Sequence, residues 1–168
     1  MKEHDTKLMF SKKSDEWATP QEFYDKLNKE FKFTLDPCAT DQSAKCKKYY
    51  TMEDDGLSKD WTGSVFVNPP YSKSKEWVEK AIFETAIAPM LRNGADVVVM
   101  LLPSRTDTRY FHEKILPNAD EIRFVKGRLK FGRQANSAPF PSMVAIFRKN
   151  KTKREDYRYF PVTTMERK

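Results

Sequence analysis

Asp96-Val97-Val98-Val99-Met100-Leu101-Leu102 is an unbroken apolar run behind one aspartate. A strand with one wet face would alternate polar and apolar residues, so this run must be buried on both faces. That is the pattern of a central strand in a parallel sheet. Upstream, Val65-Phe66-Val67 reads as a second strand ending at Asn68-Pro69-Pro70, and Phe33-Thr34-Leu35 as a short one ending at Asp36-Pro37. Between 75 and 92, Trp77, Val78, Ala81, Ile82 and Ala86 recur at helical spacing. Pro89 should kink or end that helix and Gly94 should stop it. Thr19-Pro20-Gln21-Glu22 opens an earlier helix, with Thr19 as cap, Pro20 in the first turn, and Phe23, Tyr24, Leu27 and Phe31 as its apolar stripe. A helix over 106–116 capped by Thr106, then strands over 121–125 and 143–147, complete the pattern. Strands alternating with helices predict an α/β fold, a mostly parallel sheet flanked by helices, with the last segments forming an antiparallel edge.

A length of 168 residues, with 39% apolar residues and 12 Phe, 7 Tyr and 3 Trp, suits one domain with a real core. Residues 1–14 and about 150–168 are polar and read as peripheral. The formal net charge of +7 suits an anionic partner, nucleic acid or a membrane surface, and equally an ordinary soluble protein whose charge only aids solubility. Cys38 and Cys46 match no zinc spacing, and only His4 and His112 could assist, so free thiols and no metal are expected. The first residues carry no apolar stretch suited to a signal peptide, and the run over 97–102 is far too short to cross a bilayer. A soluble, intracellular protein is the expectation.

In an open parallel sheet, ligands bind beyond the carboxyl ends of the strands. Asp36-Pro37 and Asn68-Pro69-Pro70-Tyr71 fall at such ends. The second has a specific chemical use. Adenine's exocyclic amine is a poor nucleophile because its lone pair is delocalised into the ring. An Asn side-chain oxygen and a backbone carbonyl can accept its two hydrogens and draw the nitrogen towards tetrahedral geometry. Two prolines stiffen the turn, and Tyr71 offers a flat face for stacking a base. The competing reading is a rigid turn in which Asn68 is a turn former and Tyr71 is core.

The tetrapeptide resembles motif IV of the amino-methyltransferases. Trp17-Ala18-Thr19-Pro20, Leu35-Asp36-Pro37-Cys38-Ala39, Asp55-Gly56-Leu57, Asn68-Pro69-Pro70-Tyr71, Arg105-Thr106-Asp107-Thr108 and Gly127-Arg128-Leu129-Lys130-Phe131 occur in that order. Together they resemble the phage-type DNA N6-adenine methyltransferase family (Dam-like) over about residues 17–147. The resemblance implies a single Rossmann-like methyltransferase domain over 1–168. It implies S-adenosylmethionine as cofactor, DNA as partner, base flipping, and a site of action in the cytoplasm of a bacterial or phage-infected cell.

By position, Asn68, Pro69, Pro70 and Tyr71 would be catalytic. Trp17, Thr19, Pro20, Asp36, Pro37, Cys38, Asp55 and Asn68 would hold the cofactor, with Asp36 accepting from its amino group and Asp55 from its adenine. Trp17 packing on the first helix, and Asp55 as a simple turn residue, stand beside those roles. No glycine-rich loop follows the first strand, and the acidic residue for the ribose is unassigned, with Glu53 as a candidate. DNA contact falls to Lys126, Arg128, Lys130 and Arg133, and to Arg105; the alternative is a hairpin with solvated basic residues. The rival functions are methylation of RNA adenine or protein glutamine, and a catalytically idle DNA-binding relative.

Overall fold

The computed structural model describes residues 17–132, 136–149 and 162–167. The segment 1–14 lies outside the described residues, as does 150–168 except for 162–167. Helix α1 is Gln21–Phe31. Strands β1 (Leu35–Asp36), β2 (Lys48–Tyr49) and β3 (Gly63–Val67) follow. Helix α2 covers 74–91 in three pieces: an α segment Ser74–Ile82, a π segment Phe83–Ile87 and a last turn Ala88–Leu91. Then come β4 (Ala95–Pro103), helix α3 over 109–118, β5 (Glu121–Lys126), β6 (Ser142–Arg148) and β7 (Val162–Glu166).

The strands form one seven-stranded sheet in the order β2-β1-β3-β4-β6-β5-β7. Only β6 runs against the rest, pairing antiparallel with both β4 and β5, while the other four pairings are parallel. The α/β class with a mostly parallel sheet therefore holds. The apolar run of β4 is explained by its place. Val98, Met100 and Leu102 join one buried cluster with Trp77, Val78 and Ala81 of α2 and Phe111 and Ile115 of α3. Val99 and Leu101 join another with Phe23, Tyr24 and Leu27 of α1. The sheet is thus a middle layer with α2 and α3 on one face and α1 on the other.

Several local expectations are corrected. Thr19 does not cap α1: Pro20 holds that position, no side chain caps the helix, and the Pro20 carbonyl accepts from the Tyr24 N–H. Thr106 does not cap α3, because the Thr108 hydroxyl and N–H both turn back to the Arg105 carbonyl and helical structure begins only at Arg109. The antiparallel strand is not the edge; β7 is, and it lies parallel to β5 inside what the sequence suggested was a tail. Strand β2 was not anticipated.

Pro89 does not end α2. It follows the π segment 83–87, and Pro117 in the same way follows a second π segment, Phe111–Ile115. A proline lacks an N–H and its ring crowds the carbonyl four residues back, so a wider turn upstream relieves both prolines without breaking the helix. Gly94 is required by packing, since a Cβ there would lie 2.4 Å from the Glu84 carbonyl oxygen.

Glu84 sits inside that π segment with no exposed surface. Its carboxylate takes Lys80 at 2.7 Å and Arg92 at 2.8 and 3.0 Å, and Arg92 also reaches Asp60 at 2.9 Å. Glu84→Ala should therefore cost about 3 kcal/mol, the low end for breaking a buried pair, because both cations retain some access to water. Denaturant titration checks this. A loss below about 1 kcal/mol, the ceiling for an exposed ion pair, would reduce Glu84 to a surface bridge.

Candidate functional site

From β1 the chain moves outward to β2 and then returns to the other side of β1 as β3. The crevice where the order reverses is where an open α/β sheet accepts a ligand. Asp36 ends β1 and Asn68 directly follows β3, so both lie at its mouth.

Asp36 is 3% exposed. One carboxylate oxygen accepts from the Cys38 N–H at 3.3 Å and the other from the Lys45 N–H at 3.1 Å. Burial pushes its pKa up to about 6, against the opposing pull of those two N–H groups and the Lys45 ammonium. A carboxylate has about four acceptor sites, so this one is only half served. Burial also pushes the Cys38 thiol upward, with Asp36 adding to the effect, so Cys38 stays protonated and is no nucleophile. Pro37 is held by Gly56, where a Cβ would lie 2.0 Å from the Pro37 carbonyl oxygen. The Trp61 indole N–H donates to the Gly56 carbonyl at 2.8 Å. The segments 36–38 and 55–57, separate in sequence, are therefore one surface. Asp55 is exposed and left-handed at φ 54°. Asp54 instead closes the turn, accepting from the Thr51 N–H and hydroxyl. Glu53 is exposed on the same turn.

Asn68 donates from Nδ2 to the Trp17 carbonyl at 2.8 Å and to the Thr19 hydroxyl at 3.1 Å. A carbonyl can only accept, so the amide cannot be flipped without setting oxygen against oxygen. Both Nδ2 hydrogens are spent on the segment 17–19, and Oδ1 is left to accept. This is also why Thr19 is buried and does not cap. The Gly132 N–H donates to the Ala18 carbonyl at 2.8 Å, which ties the loop after β5 to the same segment.

Tyr71 is half-buried. Its ring lies 5.2 Å from Phe140 at 88°, 5.9 Å from Trp17 and 6.4 Å from Phe131. The hydroxyl is buried without a hydrogen-bond partner, and burial raises its pKa. Trp17 turns its ring to this cluster, stacking on Phe140 at 5.3 Å and meeting Phe131 at 5.5 Å. Pro69 is buried and Pro70 exposed. Sequence reading missed Phe140 and the Lys45 N–H.

The basic residues are dispersed. Arg105 is exposed just beyond β4, and Lys126, Arg128 and Lys130 are exposed at and after the end of β5. Lys126 pairs with Glu166 of β7 at 3.2 Å, a surface contact of little stabilising value. Arg167, unforeseen, donates to the Arg128 carbonyl at 3.0 Å and adds a cation here. Arg133 lies outside the described residues.

The family model described as DNA N-6-adenine-methyltransferase (Dam) matches residues 6–168. A DNA N-6-adenine-methyltransferase of Haemophilus phage HP1 is 34% identical over 148 residues, 82% of each chain. One from Escherichia phage T1 is 34% identical over 118 residues, 68% of this chain and 46% of that protein.

The half-served carboxylate generates a pH test. A carboxyl held near 6 rather than near 4 costs about 3 kcal/mol when ionised. Its folded pKa is raised, so the penalty is absent below the unfolded value and grows as pH rises through 6. Asp36→Asn removes the titration. Relative to the parent, the variant should gain about 2 kcal/mol of stability between pH 4.5 and 8, whatever the constant cost of its altered hydrogen bond. Urea titrations across that range measure it, and a flat difference would mean that Asp36 is solvated.

Proposed function

The chain belongs to the DNA N-6-adenine-methyltransferase (Dam) family, and from that premise we propose that it methylates the exocyclic amine of adenine in DNA, using S-adenosylmethionine. The observation that carries this reading is the fixed amide of Asn68, whose two hydrogens are committed to Trp17 and Thr19, leaving its oxygen as the acceptor.

The residues at the crevice fit the cofactor's charge. Bound there, S-adenosylmethionine supplies an electrophilic methyl group on a positively charged sulfur. The buried, incompletely satisfied carboxylate of Asp36 suits its cationic amino group, and neutralising that carboxylate below about pH 6 should weaken the attraction. Trp17, Thr19, Pro20, Pro37 and Cys38 line the methionine end in this assignment, and Asp55 takes the adenine.

Adenine has to leave the duplex to be reached. Asn68 Oδ1 accepts one hydrogen of its amine. The Pro70 carbonyl is already taken by the Lys73 N–H at 2.9 Å, so the Pro69 carbonyl is assigned the other. With both hydrogens held by Asn68 and Pro69, the nitrogen lone pair would be freed towards the methyl group that the cofactor would supply. The amine then sheds one proton to solvent. Tyr71, held at right angles to Phe140, supplies π surface for the base, a contact worth roughly 1–3 kcal/mol. Arg105, Lys126, Arg128, Lys130 and Arg133 are assigned to the DNA backbone.

Incubation with methyl-labelled cofactor and DNA, RNA or protein should place label in DNA alone, on adenine N6. Label in RNA or protein, or none in DNA, would refute the assignment. Asn68→Ala should lower the single-turnover rate on the order of 10²-fold, as loss of one preorganised hydrogen bond to a reacting group does, with little change in cofactor affinity. Equal loss of cofactor binding and rate would make Asn68 a structural clamp only.

A further inference from the structure

Beside the catalytic turn lies a cleft of about 390 Å³ lined by Tyr71, Ser72, Ser74, Pro103, Arg105, Thr108 and Tyr110. Its lining is chemically one-sided. It holds one cation, Arg105, hydroxyls from Ser, Thr and Tyr, and no carboxylate. Ser72 and Ser74 belong to the turn and first residues of α2, and Thr108 and Tyr110 to the start of α3, so the N-terminal ends of two helices open on it. Each such end carries partial positive charge and N–H groups short of helical partners. Among the described residues no carboxylate pairs with Arg105: its N–H donates to the Pro103 carbonyl, its own carbonyl is held by Thr108, and its guanidinium acts on the phenol of Tyr110, lowering a pKa that burial raises. Tyr71, with a buried and unpartnered hydroxyl, borders both this cleft and the aromatic cluster at Asn68. A buried polar group left unsatisfied in a native fold asks for a partner.

We propose that this cleft is a phosphodiester subsite: Arg105, with the Ser72 hydroxyl, holds the backbone phosphate that flanks the flipped adenosine. The inference rests on the methyltransferase reading and adds the place where the sugar–phosphate chain is held while its base lies against Tyr71. The arrangement suits a phosphate over a base edge. A guanidinium and a hydroxyl offer donors to phosphate oxygens, which can only accept. Holding a phosphate, the subsite positions the nucleotide and carries no sequence information directly.

The test uses the full chain and a duplex whose methylated adenine has been mapped with the parent protein. Single neutral methylphosphonates are then walked along the strand on either side of that adenine, and single-turnover methylation is measured with the parent, Arg105→Gln and Arg105→Lys. With the parent, one flanking linkage should be sensitive, its neutralisation slowing methylation about tenfold, as loss of one charge-assisted contact does. Arg105→Gln should show that loss on the fully charged duplex and no further loss at the same linkage. Its DNA affinity should fall less steeply with salt, by about 0.9 in log–log slope for one duplex phosphate. Arg105→Lys should restore part of both. Arg105→Gln that stays as sensitive as the parent to the same linkage, with an unchanged salt slope, overturns the subsite and leaves the methyltransferase reading intact. A parent protein that methylates no DNA overturns both.

Discussion

Leu35 pairs in parallel with Val65, and Val67 in parallel with Met100. Parallel strands end on the same side, so Asp36, Asn68 and Arg105 all leave the sheet at one edge. A single antiparallel pairing among these three strands would send one of those residues to the far side. The antiparallel strand is admitted only beyond β4, and there it serves the same edge. Pro103 is opposite Ser142, so β6 begins where β4 ends and brings Phe140 beside Tyr71.

Two buried carboxylates are served unevenly. Glu84, fully buried on α2, is surrounded by Lys80 on the same helix and Arg92 directly after it. Asp36, almost as deeply buried, has two backbone N–H groups and a nearby ammonium, and burial still outweighs them. The two carboxylates illustrate different outcomes of the same desolvation. One is compensated internally and adds rigidity; the other is left with unmet demand at the mouth of a crevice, the arrangement that favours a cationic ligand over an empty site.

Much of this was legible in the sequence for a clear physical reason. Burial on both faces forces an unbroken apolar run, which is why β4 could be read directly. Ordered short motifs marked the strand ends. What was hidden depends on partners distant in the chain. Thr19 has the composition of a helix cap, but Asn68, 49 residues away, claims its hydroxyl. Thr106 looks equally like a cap, yet the turn closed by Thr108 delays the helix. Strand β2 has two residues, neither buried, and so leaves no periodic trace. Strand β7 follows a basic stretch and shows no alternation of its own; its identity comes from β5. The aromatic enclosure of Tyr71 joins residues 17, 71, 131 and 140, a closeness no local pattern encodes.

The placement of β7 has a consequence for how the chain is assembled. The strand before it in space, β5, is paired on one side by β6 and on the other only by β7. Until 162–166 has been synthesised, Ile122 to Lys126 present an open row of amide and carbonyl groups in a nearly finished sheet. Such a row invites pairing with another nascent chain. Strand β7 therefore moves the exposed edge from β5 to itself, and copies truncated before it would present Ile122 to Lys126 instead.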